Sequence, residues 1–140
     1  MAFDYFDEIR VINLSSRKDR RARMLSELRR VGLEGDPRVE FFDALSFAEA
    51  AAFTSRGARG VFHSQLEILE QAAKRGHSVL ILEDDVDFVD GVENYRLAGD
   101  WAIFYGGYYA DDPRNLHASD IVGAHMMGFS ARIVPEVVAY

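Results

Sequence analysis

The run Val79–Leu82, VLIL, followed at once by Glu83-Asp84-Asp85, constrains this chain more than any other feature. Four consecutive apolar residues leave no solvent face, so the segment suits a strand covered on both sides, as at the centre of a parallel sheet. Three carboxylates at its end repel one another and raise each other's pKa values unless positive charge lies close. Alternation along an extended chain sends Glu83 and Asp85 to one side and Asp84 to the other. Hard divalent ions such as Mn²⁺ or Mg²⁺ take one or two carboxylates and complete their shell with water and phosphate oxygens. The competing reading is an acidic strand cap, bonded to backbone amides or arginines. Asp87 and Asp90 extend the run and read as parts of a solvated loop.

Around this strand the periodicity alternates between strand and helix. Ile9–Leu14 reads as a buried strand with Asn13 near its end. Ser15, Ser16 and Asp19 offer N-caps for a helix carrying Met24, Leu25, Leu28 and Val31 at core spacing, stopped by Gly32. Arg38–Asp43 reads as a second strand, Phe47–Phe53 as an Ala-rich helical piece, and Ser55–Gly60 as a loop. Val61–Arg75 is expected as a helix with Phe62, Leu66, Leu69 and Ala73 on one face. Trp101–Tyr105 and Met126–Ser130 read as later strands, and Ala131–Tyr140 as a closing helix started near Pro135. Such an order predicts an α/β fold, a mostly parallel Rossmann-like sheet flanked by helices, in one domain over residues 1–140. Ligands of open α/β sheets gather at the carboxyl ends of the strands, where Asn13, Asp43, Glu83 and Gly106 fall.

Composition closes off several classes. The absence of cysteine excludes a disulfide scaffold, a zinc–thiolate site and thiol catalysis. A net charge of −7 makes the chain a poor general binder of nucleic acid, whose affinity rests on many phosphate contacts. No apolar run approaches the ~20 residues of a membrane span, and the N-terminus lacks a signal peptide's pattern, so a cytoplasmic protein is expected. Seven basic residues nevertheless crowd into Arg17–Arg30, while ten acidic ones lie between Val79 and Asp120. A basic element facing an acidic cluster suits a small anionic ligand held partly by a metal ion, although a solvated helix face explains most of those arginines as well. A receiver-type phosphoacceptor domain also follows a strand with carboxylates, but it needs a lysine later in the chain, and none follows Lys74.

The ordered motifs resemble glycosyltransferase family 25, the lipooligosaccharide-biosynthesis and collagen galactosyltransferase group. The resemblance begins at Val11-Ile12-Asn13-Leu14 with Arg17, Asp19, Arg20 and Arg21, and continues through Phe42-Asp43-Ala44 and Gly60-Val61-Phe62-His63-Ser64-Gln65-Leu66. It is strongest at Leu80-Ile81-Leu82-Glu83-Asp84-Asp85-Val86, similar to that family's LILEDDV core. Gln65 stands where the family usually has histidine, and the chain ends at Tyr140, soon after the last matching segment, so the fold is expected to be short at its C-terminus. The resemblance implies a GT-A-like fold, a UDP-sugar donor, Mn²⁺ or Mg²⁺, and inverting transfer of a galactose-type sugar to a saccharide or glycolipid hydroxyl in surface glycan assembly. By that analogy Asp85 binds the metal, Glu83 or Asp84 reaches the ribose or a metal-bound water, and Asn13, Arg17 and Arg20 hold the nucleotide. His125 is a candidate second metal ligand, its alternative a hydrogen-bonded edge histidine.

Inverting transfer needs a base for the acceptor hydroxyl; Asp111 and Asp112 are the candidates, with a turn before Pro113 as the competing role. Ser64 and Gln65 face the site by analogy, and helix packing explains them equally. Tyr105, Tyr108 and Tyr109 stack on a sugar or close the core; His63, His77 and His117 show no partner. Peripheral attachment at the inner membrane face, and a homo-oligomer formed over exposed apolar surface, are further expectations. The alternative to an enzyme is a non-catalytic module of the same fold that binds nucleotide or a partner.

Overall fold

A computed structural model describes residues 1–97 and 99–140. Three strands, β1 (Glu8–Asn13), β2 (Val39–Asp43) and β3 (Val79–Glu83), pair in parallel with β1 between the other two. Helix α1 (Lys18–Arg30) connects β1 to β2, and α2 (Arg56–Arg75) connects β2 to β3. After β3 come β4 (Ile103–Tyr105), the short pair β5 (Tyr109–Ala110) and β6 (Ile121–Val122), β7 (Met126–Phe129) and α3 (Val134–Ala139). The five-stranded sheet runs β2-β1-β3-β7-β4. β7 lies antiparallel to both β3 and β4, so the α/β sheet is mixed, with one reversed strand inserted beside the central one.

The run VLIL is buried as its composition requires: Val79, Leu80, Ile81 and Leu82 are each 0% exposed. Leu80 and Leu82 join Ile9 and Val11 on one face, packed against Met24 and Leu28 of α1, Val31 beyond it, and Phe3, Phe6 and Phe88. Val79 and Ile81 join Ile12 on the other, against Ile68, Leu69 and Ala72 of α2 and Val134 of α3. Each such aliphatic side chain contributes about 1.5–3 kcal/mol on burial, before the entropy of ordering it. With α1 and α2 on opposite faces, the connections leaving the carboxyl ends of β1 and β2 diverge, whereas the chain leaving β3 runs along the α1 face, where Val86 and Phe88 join the core.

Several local expectations yield to tertiary packing. Phe47–Phe53 is irregular rather than helical. Phe47 and Phe53 turn their rings onto His63 of α2, Arg59 sits over Phe47, and Ala51 adopts a positive φ of 52°. Helix α2 begins earlier than expected because Ser55 caps it, its hydroxyl accepting from the Ala58 amide at 3.0 Å. Its buried face is carried by Ser64, Ile68, Leu69 and Ala72, leaving Phe62 exposed. Ser15, Ser16 and Asp19 do not cap α1, which starts after Arg17 without a side-chain cap, and Leu25 faces solvent. The β5–β6 pair was not expected; its strands are two residues each, too short for periodicity to register.

Candidate metal centre

Glu83 is the last residue of β3, and Asp84 and Asp85 form the turn beyond it. The Glu83 amide donates to the carbonyl of His125 at 2.9 Å, so the pairing of β3 with β7 fixes these two residues side by side. Glu83 and Asp85 share a side as expected, but through the turn at residues 84–85 rather than through extended-strand alternation. Glu83 and Asp85 turn to one side, where His125 Nδ1 lies 3.3 Å from Glu83 Oε2 and 3.5 Å from Asp85 Oδ1. One ligand atom from each of the three lies within 4.8 Å of the others. Asp85 Oδ1 is buried and has no hydrogen-bond partner among the described residues. Burial foremost raises the pKa of Glu83; the charge of His125 opposes this, and Asp85 and Asp84 add to it.

Asp84 turns the other way and is 8% exposed. Its Oδ2 accepts from Asn13 Nδ2 at 2.7 Å and its Oδ1 from Arg20 Nη1 at 2.9 Å. The same Arg20 nitrogen lies 3.3 Å from Asp85 Oδ2, and Asn13 Nδ2 also reaches the Arg17 carbonyl at 3.3 Å. Asn13, Arg20, Glu83, Asp84, Asp85 and His125 therefore meet at one place, the carboxyl ends of β1 and β3.

The guanidinium of Arg17 is not part of this group. It forms a two-pronged pair with Asp19, at 2.9 and 2.7 Å, and only its carbonyl faces Asn13. That hydrogen bonding raises the Arg17 pKa further. Asp111 and Asp112 are exposed, and no hydrogen bond or ion pair among the described residues links them to the cluster. Asp112 takes the turn role: its carboxylate accepts from the Arg114 amide at 3.0 Å, and its own amide donates to Ser119 Oγ at 2.7 Å. Ser64 is structural, donating to the Gly60 carbonyl at 2.7 Å and accepting from the Leu45 amide at 2.9 Å. His77 lies at the opposite end of β1, 2.6 Å from Glu8, and His63 belongs to the aromatic group over α2.

Asp87 and Asp90 are exposed, yet each pairs with an arginine of α1, Asp87 with Arg23 and Asp90 with Arg30. These arginines are therefore not simply a solvated helix face. The spacing of Arg20, Arg23, Glu27 and Arg30, which places them on one side of a helix, was the available signal.

Two clefts flank the cluster. One, of about 350 Å³, is lined by Asp85, Phe88, Gly106, Gly107 and His125. The other, of about 460 Å³, lies beside Asn13 and Asp43 with Ser15, Lys18 and Arg21. Two carboxylates and an imidazole suit a borderline-hard divalent cation, and the orphaned Asp85 oxygen gives such an ion a ready ligand. No protein-family model matches the chain, and a search of curated proteins finds no match.

Proposed function

We propose that the chain is a metal-dependent glycosyltransferase of GT-A-like architecture. It moves a galactose-type sugar from a UDP-sugar to a saccharide or glycolipid hydroxyl in surface glycan assembly. The observation that carries this reading is the convergence of Glu83, Asp85 and His125 at the carboxyl end of the central strand, with Asp85 Oδ1, buried and without a hydrogen bond among the described residues, in the group. The position is the carboxyl end of the parallel strands, where open α/β sheets gather their ligands.

Glu83, Asp85 and His125 would hold Mn²⁺ or Mg²⁺, which when bound supplies Lewis-acid stabilisation to a diphosphate leaving group. Asn13 and Asp84 tie the ends of β1 and β3 together, fixing the floor of the nucleotide site. Lys18 and Arg21 give the cleft beside Asn13 the positive charge a nucleotide's phosphates require. Arg20 stands at the cluster as a resident cation, shared between Asp84 and Asp85. The acceptor side is assigned to the cleft of about 560 Å³ beyond Gly106 and Met126, where Tyr95 and Tyr105 offer aromatic faces to a sugar ring. Asp111 is the remaining candidate for the base, since Asp112 is engaged in its turn. No helix among the described residues is long and apolar enough to cross a membrane. The proposed place of action is the cytoplasm or its membrane face, and the exposed pair Tyr109 and Val122 on β5–β6 favours self-association.

One observation favours the second reading, a non-catalytic module: Arg20 already pairs with both Asp84 and Asp85, offsetting part of their charge as a purely structural cluster would require. Calorimetric titration of UDP, with and without Mn²⁺, separates the two in part. Metal-dependent UDP binding that disappears in Asp85→Asn is the expected result. Turnover, read as UDP release accelerated by acceptor, then distinguishes an enzyme from a binding module. Absence of UDP binding under every metal condition overturns the nucleotide-sugar reading.

A further inference from the structure

The segment after β3 is fastened to α1 along its length. Arg20 reaches Asp84 and Asp85 at 2.9 and 3.3 Å, and one turn on, Arg23 grips both oxygens of Asp87 at 2.6 and 2.7 Å. Glu27 accepts from the Phe88 amide at 3.1 Å, and Arg30 donates to the Phe88 carbonyl and to Asp90, the latter at 3.1 Å. Arg30 also pairs with Glu27 at 2.7 Å, holding that carboxylate in place and, by its hydrogen bond foremost, lowering its pKa. Residues 20, 23, 27 and 30 advance by three or four, so they form one stripe of the helix and meet residues 84–90 in order. Both backbone polar groups of Phe88 are thus satisfied by helix side chains, while its ring is buried edge-on against Phe3 at 5.8 Å. A loop without sheet pairing thereby acquires a defined path.

We propose that this stripe of α1 is a positioning device for the cation site. Arg20, Arg23, Glu27 and Arg30 set the course of residues 84–90 and so turn Asp85 Oδ1 toward Glu83 and His125. The proposal rests on the metal-centre reading given above. Of the four, only Arg20 touches a proposed ligand; Glu27 and Arg23 act through the loop and are positioning residues. Groups that orient a metal's ligands commonly change affinity by 10–100-fold when lost. One further step removed, an effect of roughly three- to tenfold is expected.

The test is Mn²⁺ binding to the full chain, read by electron paramagnetic resonance of the free ion, with circular dichroism and thermal unfolding recorded beside it. Glu27→Ala is expected to weaken Mn²⁺ binding roughly three- to tenfold. Glu27→Gln, which keeps an oxygen for the Phe88 amide, should restore most of it. Arg23→Ala should act in the same direction, and serves if Glu27→Ala does not fold. Arg29→Ala, on the same helix but paired with Glu34 away from the loop, should leave binding unchanged. Wild-type affinity in both Glu27→Ala and Arg23→Ala overturns the proposal while leaving the metal centre standing. If the unaltered chain binds no Mn²⁺, the metal-centre reading fails and this proposal falls with it.

Discussion

Asn13, at the end of β1, donates its side-chain amide to Asp84 Oδ2, beyond the end of β3, at 2.7 Å, and both residues are buried. This bond ties together the carboxyl ends of two parallel strands. Asn13→Ala leaves a buried carboxylate oxygen without its donor, a loss of about 1–3 kcal/mol. Urea unfolding at neutral pH should show that drop, whereas a variant as stable as the wild type would mean water replaces the amide at no cost.

The carboxylate cluster sets stability against binding. Burial raises the Glu83 pKa, and the crowding of Asp84 and Asp85 adds to it, so the ion-free fold bears the cost of like charges. Asp85→Asn relieves part of that repulsion. Expected are a thermal midpoint equal to or above that of the wild type and the loss of Mn²⁺ binding. A large fall in the midpoint would instead make the Asp85–Arg20 contact chiefly structural.

Two glycines of α2 should respond oppositely to alanine. A Cβ at Gly57 would meet nothing closer than Ser55 Oγ at 3.7 Å, so helix propensity predicts a gain of up to about 1 kcal/mol. A Cβ at Gly60 would lie 2.5 Å from the Leu45 carbonyl oxygen. Backbone cannot give way as a flexible side chain can, and overpacking of about 1–3 kcal/mol exceeds the propensity gain. Chemical denaturation of the pair should give opposite signs; stabilisation by both would show that the 44–46 segment can move away freely.

The buried Glu8 should dominate acid sensitivity at the far end of the sheet. Burial pushes its carboxyl up, but hydrogen bonds from Arg75 and His77 and the charge of Arg10 outweigh that and hold it below its ordinary 4.5. A depressed carboxylate pKa stabilises the fold above the unfolded value, and that contribution is lost as pH falls through the folded one. Glu8→Gln should therefore cost about 1–3 kcal/mol at pH 7. The deficit should close as the pH drops below 4.5. A pH-independent difference between the two proteins would contradict this assignment.

The legible part of this protein was its central strand and what hangs from it. VLIL could only be covered on both faces, so the carboxylates had to lie at a strand end; that Glu83 and Asp85 share a side is the work of the turn at residues 84–85. The strand bearing Asn13 was readable because its β-branched residues Ile9, Val11 and Ile12, followed by turn residues, leave few alternatives, and the strand bearing Asp43 through Val39 and its two phenylalanines. Phe47–Phe53 was not, since its alanines favour a helix locally while its rings are captured by His63 and Arg59, partners distant in sequence.

By itself, then, the sequence determined the α/β layering and the carboxylates' place at a strand end, because hydrophobic periodicity is a local property. Tertiary structure alone decided that β7 enters reversed beside β3, bringing His125 to Glu83 and Asp85, and that Arg17 turns away to Asp19 while Arg20 turns in. It also decided that the arginines of α1 grip residues 84–90 rather than face water. Charges carry no periodicity that names their partners; which ones meet depends on helices and loops brought together by a core they do not enter.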